Sequence, residues 1–153
     1  MNIEDKLESL GLKLPNPAKP AGSYKPCIIV EDTAYISGQG PLLNDGSFAK
    51  GVVGENIDLE TAQIHAQKCG LAILSALKAE IGDLNKVQQL IKITGFVNCT
   101  NDFEKQPLVI NGCSDLMKEV FGNKGVHARA AVGVSSLPLG FSVEIEAIFK
   151  IQL

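Results

Sequence analysis

Arg129 is the only arginine in a chain that carries thirteen lysines. It stands in an apolar run, His127-Ala128-Arg129-Ala130-Ala131-Val132-Gly133-Val134, where little else is charged. A guanidinium offers something an ammonium cannot: a planar fork that donates two parallel hydrogen bonds to a carboxylate or phosphate. The plainer reading is a strand-end arginine paired with an acid elsewhere in the fold. Two acids of interest, Glu144 and Glu146, follow in a strand and share one of its faces with Ile148. A face that mixes glutamates with an isoleucine is not simply solvated. The other reactive types say less. Four cysteines (Cys27, Cys69, Cys99, Cys113) lie far apart in apolar segments, and there are two histidines, His65 and His127. No pair has metal-ligand spacing, so no metal and no other cofactor is expected. The cysteines read as buried, reduced thiols.

At 153 residues the chain fits one domain with a sizeable core. It is 45% hydrophobic and 20% charged, the balance of a soluble globular protein. A net charge of −3, scattered lysines, 5% aromatics and no tryptophan argue against nucleic acid as a partner. No segment approaches the ~18 consecutive apolar residues that cross a bilayer, and no basic start leads into an apolar core. A cytoplasmic protein without membrane association is the expectation.

The elements that must position Arg129 and Glu144 follow from patterning. Asn2 can cap a short helix whose face carries Ile3, Leu7 and Leu10, with Gly11 ending it. Leu14 to Ser23, with three prolines and a glycine, is an irregular arm. Residues 1–21 thus form a helix and arm ahead of a single domain at 22–153. Cys27 to Val30 and Thr33 to Ser37 flank Glu31-Asp32 as a hairpin. Gly38-Gln39-Gly40-Pro41 breaks its second strand, and a further short strand is predicted near Phe48. The strongest helix runs from Leu59 to Ile81, capped by Asp58 and stopped by Gly82. Leu59, Ala62, Ala66, Cys69, Ile73, Ala76 and Leu77 make its stripe, and His65 beside it reads as a structural histidine.

Val87 to Cys99 is β-branched and apolar, a long strand. A second helix is predicted near Ser114 to Phe121, with Leu116, Met117, Val120 and Phe121 buried. The last strand alternates Val143, Ile145, Ala147, Phe149 and Ile151 with Glu144, Glu146, Ile148, Lys150 and Gln152. The whole is an α+β domain, a mixed sheet with two long helices on one face. The other face needs a cover, and oligomerisation would supply it.

Ser37-Gly38-Gln39, then Arg129-Ala-Ala-Val-Gly-Val-Ser-Ser-Leu137-Pro138, then Val143-Glu144-Ile-Glu-Ala147 together resemble the signature of the YjgF/RidA family. These are reactive-intermediate enamine/imine deaminases, also described as L-PSP endoribonucleases and translation inhibitors. The resemblance covers about residues 22 to 153. It implies a chorismate-mutase-like fold, a homotrimer with its sheets packed into a barrel, and active sites in the clefts between subunits. It also implies roles. Arg129 would bind the substrate carboxylate and Glu144 would hold the attacking water. Tyr24 would be a third catalytic residue near the site, closing the pocket or assisting proton transfer, with Ser37 and Gly38 shaping the pocket. Asn111, near the start of the second helix, would contact substrate, and Ala131 would do so through its backbone N–H. His127 replaces a typical proline and could reach the mouth of the cleft. Residues 106–112 look like part of an insertion that marks a divergent branch.

The activity so implied is hydrolysis of an imine, formed from a 2-aminoacrylate-type enamine, to a 2-keto acid and ammonia. An imine carbon is electrophilic enough that a fixed carboxylate, an oriented water and a proton donor suffice. Two other readings stand beside it: a trimer that binds small carboxylates without turning them over, and an endoribonuclease. The acidic composition and single arginine weigh against the last.

Overall fold

Leu59–Ile81 forms helix α2 because both of its ends are specified and one stripe is apolar. The Asp58 carboxylate accepts from the Thr61 N–H at 2.8 Å, and Gly82 ends the helix. Ala62, Ala66, Cys69, Ile73, Leu74 and Leu77 are buried against the sheet and its partner helix. In the computed structural model, which describes residues 2–153, α2 lies beside a second long helix, α3 (Gln106–Phe121). The crossing is tight at Gly112, where a Cβ would fall 2.0 Å from the carbonyl oxygen of Gln63.

The sheet has five strands: β1 (Cys27–Val30), β2 (Thr33–Gln39), β3 (Val87–Asn98), β4 (Ala128–Val134) and β5 (Val143–Ile151). Their spatial order is β1-β2-β5-β3-β4. β3 and β4 run parallel and the other pairs antiparallel, so the sheet is mixed. Alternation along β5 divides its two faces. Val143, Ile145, Ala147, Phe149 and Ile151 are buried, while the residues between them are half-buried or exposed. Ile28, Tyr35 and Val132 are partly exposed on the sheet as well. The α+β architecture with two long helices on one face is therefore as the sequence predicts.

A short helix α1 (Ile3–Ser9) opens the chain, with Asn2 accepting from the Asp5 N–H at 2.8 Å. Leu7 is buried, and Glu4 pairs with Lys78 of α2. The proline-rich arm then lies along α2, where the Ser75 hydroxyl donates to the Pro15 carbonyl at 2.6 Å.

Two expectations change. The second helix starts at Gln106, not near Ser114. Proline is tolerated in a first helical turn, and Gly112 serves the crossing with α2. Residues 106–112 are thus the opening turns of a packed helix, with Val109 and Ile110 buried. Near Phe48 there is no strand, only isolated bridges from Leu42 to Phe48 and from Lys50 to Phe141.

Candidate active site

Arg129 is the second residue of β4, opposite Ile93 of β3. Ile93 is buried on the helix side of the sheet, and Arg129 reaches the same side. Its Nη1 donates to Asn111 Oδ1 at 2.7 Å and to Ser114 Oγ at 3.2 Å, both on α3. Asn111 and Ser114 are three apart in sequence, so they share a helix face. Arg129 has no ion pair among the described residues, which removes the plain reading of a strand-end salt bridge within one chain. Nε and Nη2 have no protein acceptor there. These two donors share one edge of the guanidinium plane.

The His127 ring is held within the chain by two partners. Its Nε2 lies 2.9 Å from Ser114 Oγ and its Nδ1 donates to the Gly125 carbonyl at 2.6 Å, behind Arg129. Ser114 is the residue that sequence reasoning missed here. It read as the first residue of a helix, and nothing in the pattern marks a buried serine between an arginine and a histidine. The adjacent Cys113 is buried, which pushes its thiol up to about 12 against a smaller opposing pull from Arg129. It is a packing residue, not a thiolate. All four cysteines are buried and free.

Glu144 lies elsewhere. It is opposite Phe96 of β3, and Phe96 is in turn opposite Val132. Ile93 and Phe96 are an odd number of residues apart in a regularly paired stretch, so Arg129 and Glu144 point to opposite faces of the sheet. With ~4.8 Å between strands and ~3.3 Å per residue, their Cα atoms are on the order of 14 Å apart. One chain does not bring them together.

Glu144 is half-buried, and no hydrogen-bond or salt-bridge partner for its carboxylate exists among the described residues. Burial pushes its carboxyl above the ordinary range, and nearby Glu146 pushes the same way. Gly38, in the bulged stretch of β2, lies directly beneath it, and a Cβ there would fall 2.6 Å from Oε2. Ser37 is committed locally: its hydroxyl donates to the Lys25 carbonyl at 2.7 Å. Tyr24 is 52% exposed, and its hydroxyl accepts from the Ala21 N–H at 3.3 Å. Ala131 pairs with Gly95 and packs on the core through its methyl group, leaving its backbone as the part that could meet a ligand.

His65 is structural, as expected: it is buried, its Nδ1 lies 2.8 Å from Ser142 Oγ, and burial lowers its pKa. No group of three or more His, Cys, Asp or Glu side chains among the described residues is placed to hold a metal. No helix among them is long and apolar enough to cross a membrane.

The described residues thus present two separate features: an arginine held by Asn111 and Ser114 on the helix side of β4, and a half-buried glutamate without a side-chain partner on the open face of β5. Comparison with known proteins gives these a context. The family model of the YjgF/chorismate-mutase-like proteins, to which an endoribonuclease activity is provisionally ascribed, matches residues 4–149. The Trypanosoma cruzi protein TCP17 is 38% identical over 151 residues, 98% of this chain and 94% of its own. A Bos taurus protein named 2-iminobutanoate/2-iminopropanoate deaminase is 34% identical over 146 residues, 93% of this chain and 92% of its own. The crystal structure of Atu1372 from Agrobacterium tumefaciens, a protein of unknown function, superposes with a TM-score of 0.91. It is 44% identical and covers 99% of this chain and 94% of its own. The chain belongs to the YjgF/RidA family.

Proposed function

We propose that this protein hydrolyses 2-imino acids, formed from 2-aminoacrylate-type enamines, to 2-keto acids and ammonia. The observation that carries this reading is the half-buried guanidinium of Arg129, held through Nη1 by Asn111 and Ser114 with Nε and Nη2 left as donors, in a chain with no other arginine. Such a fork matches the carboxylate that every 2-imino acid carries next to its reacting carbon. Relatives named as 2-iminobutanoate/2-iminopropanoate deaminases support the reaction type.

Glu144 is the partner in the chemistry. Its carboxylate accepts a proton from water as the oxygen adds to the imine carbon, and returns that proton to nitrogen. As the resulting carbinolamine collapses, its hydroxyl proton passes through the same carboxylate to nitrogen, the C–N bond breaks to release ammonia and the keto group forms, so atoms and charge balance with water as the only co-reactant. Such a base contributes roughly 10²–10⁴-fold when well placed. Its elevated pKa brings its proton affinity nearer to that of the nitrogen it must protonate.

Since Arg129 and Glu144 face opposite sides of one sheet, the complete site requires a second copy. We read the assembly as a trimer in which the open sheet faces pack together and the clamp of one subunit meets the glutamate of the next. Tyr24, exposed ahead of β1, would then close the pocket, with Ser37 and Gly38 forming its wall. Such a trimer would work in the cytoplasm on a small carboxylate.

The test is ammonia and keto-acid release from freshly generated 2-aminoacrylate. Wild type should accelerate it, and a folded, assembled Arg129→Ala variant should not. Lack of acceleration by correctly assembled wild type would defeat the deaminase reading in favour of carboxylate binding without turnover. RNA cleavage that disappears in Arg129→Ala would instead revive the endoribonuclease.

A further inference from the structure

The guanidinium of Arg129 is held from behind. Nη1 carries two hydrogens, and two acceptors meet it: Asn111 Oδ1 at 2.7 Å and Ser114 Oγ at 3.2 Å. Ser114 is only 7% exposed, so water does not compete freely for its oxygen. A serine accepts well from a cation only when its own hydrogen points elsewhere. His127 supplies that direction. Its Nδ1 is 2.6 Å from the Gly125 carbonyl oxygen, which can only accept, so Nδ1 carries a hydrogen. In the neutral ring Nε2 then presents a lone pair, 2.9 Å from Ser114 Oγ. Ser114 donates to His127 and turns its lone pairs to Arg129. The base of this chain is itself pinned, since Gln89 of β3 donates to the Val126 carbonyl at 2.6 Å.

We infer that Ser114 and His127 are positioning residues that decide which edge of Arg129 is offered to an anion. With Nη1 occupied on both hydrogens, the remaining donors are those on Nε and Nη2, along one side of the guanidinium plane. They match two carboxylate oxygens side-on. A guanidinium without this hold could present its Nη1–Nη2 end equally well, and the carboxylate would then sit at a different angle to β4. The hold therefore fixes the heading of the atom next to the carboxylate, which is where small errors of placement are costly. That the anion is a carboxylate rests on the function proposed above. The hold on Nη1 does not.

The single arginine makes the test direct, because its side-chain ¹⁵N resonances belong to one residue only. In wild type, rotation about Cζ–Nη1 should be slow, with the Nη1 hydrogens resolved from those of Nη2. Ser114→Ala and His127→Phe should each speed that rotation on the order of tenfold, the worth of a hydrogen bond to a charged group. Ser114→Thr, which keeps the hydroxyl, should restore slow rotation. Pyruvate, used as the carboxylate probe, should shift Nε and Nη2 in wild type and leave Nη1 in place. It should bind about tenfold more weakly to Ser114→Ala and His127→Phe, with recovery in Ser114→Thr.

Thermal unfolding of each variant checks that it is folded, and either of the two disruptive variants suffices. Fast Nη1 rotation in wild type, or unchanged rotation in the folded variants, would overturn the inference. Slow, serine-dependent rotation together with no response to pyruvate would uphold the hold on Nη1. That last result would strike down the carboxylate reading instead.

Discussion

The carboxylate of Glu144 rests on the backbone of Gly38, so closely that a Cβ at that position would fall 2.6 Å from Oε2 and 2.9 Å from Cδ. Two sequence segments far apart in the chain are thereby joined into one surface. The bulge in β2 between Ile36 and Gln39 places Gly38 where no side chain intervenes, and β5 carries Glu144 over it. The glycine's role here is close approach: its lack of a side chain sets the position of the acid.

Gly38→Ala follows from that contact. The atoms that would have to move are the end of one flexible side chain, so the fold should absorb the methyl group with little change in unfolding temperature. The acid itself would be displaced by an ångström or more. Displacement of that size costs a reacting group on the order of 10²-fold. Imine hydrolysis should fall by about this factor in kcat while thermal unfolding stays within a few degrees of wild type. An active Gly38→Ala variant would separate Glu144 from the chemistry.

The elevated Glu144 pKa gives two pH signatures of opposite use. Burial raises it first and Glu146 second. A carboxyl whose folded pKa exceeds its unfolded one holds more protons in the native state across the window between the two values. Stability therefore declines as pH rises through that window, and the deficit is complete above the folded pKa. Glu144→Gln should raise the unfolding temperature at neutral pH, with the gain disappearing below the ordinary carboxylate range. In kinetics, the acid limb of kcat/KM should lie above that same range, because the base must be ionised. Glu146→Gln removes a neighbouring negative charge and should move the limb to lower pH without abolishing activity. A limb that ignores Glu146→Gln would indicate another titrating group.

Much of this was legible in the sequence because the relevant signals are local. A cap at Asp58, a stop at Gly82 and a period-two run from Val143 to Ile151 fix α2 and β5 without reference to anything distant. The lone Arg129 in an apolar run likewise marked itself. What was hidden depends on neighbours in space. Pro107 and Gly112 carry the local signature of a loop, and only the approach of Gln63 explains why a glycine belongs inside a helix there. Ser114 and His127 are thirteen residues apart and meet through the return of the chain into β4. The separation of Arg129 and Glu144 follows from strand order and register, which a one-dimensional motif does not contain.

Gly112→Ala tests the helix crossing that carries Asn111 and Ser114 to Arg129. A Cβ at this position would stand 2.0 Å from the Gln63 carbonyl oxygen, 2.8 Å from its carbon and 3.2 Å from the Ala66 Cβ. Unlike the Gly38 contact, two of these atoms are backbone of a packed helix and cannot swing aside, so α2 and α3 must separate. Alanine's better helix propensity offsets at most ~1 kcal/mol of this. Overpacking of this kind costs about 1–3 kcal/mol, and a backbone clash belongs at the upper end. Chemical denaturation should show the unfolding free energy lowered by about 2 kcal/mol net, read as a lower midpoint with the m-value unchanged. Asn111 and Ser114 flank the site on the same helix, so pyruvate affinity should fall with stability. Gly112→Ala with wild-type stability and affinity would mean that the two helices do not cross as closely as this geometry requires.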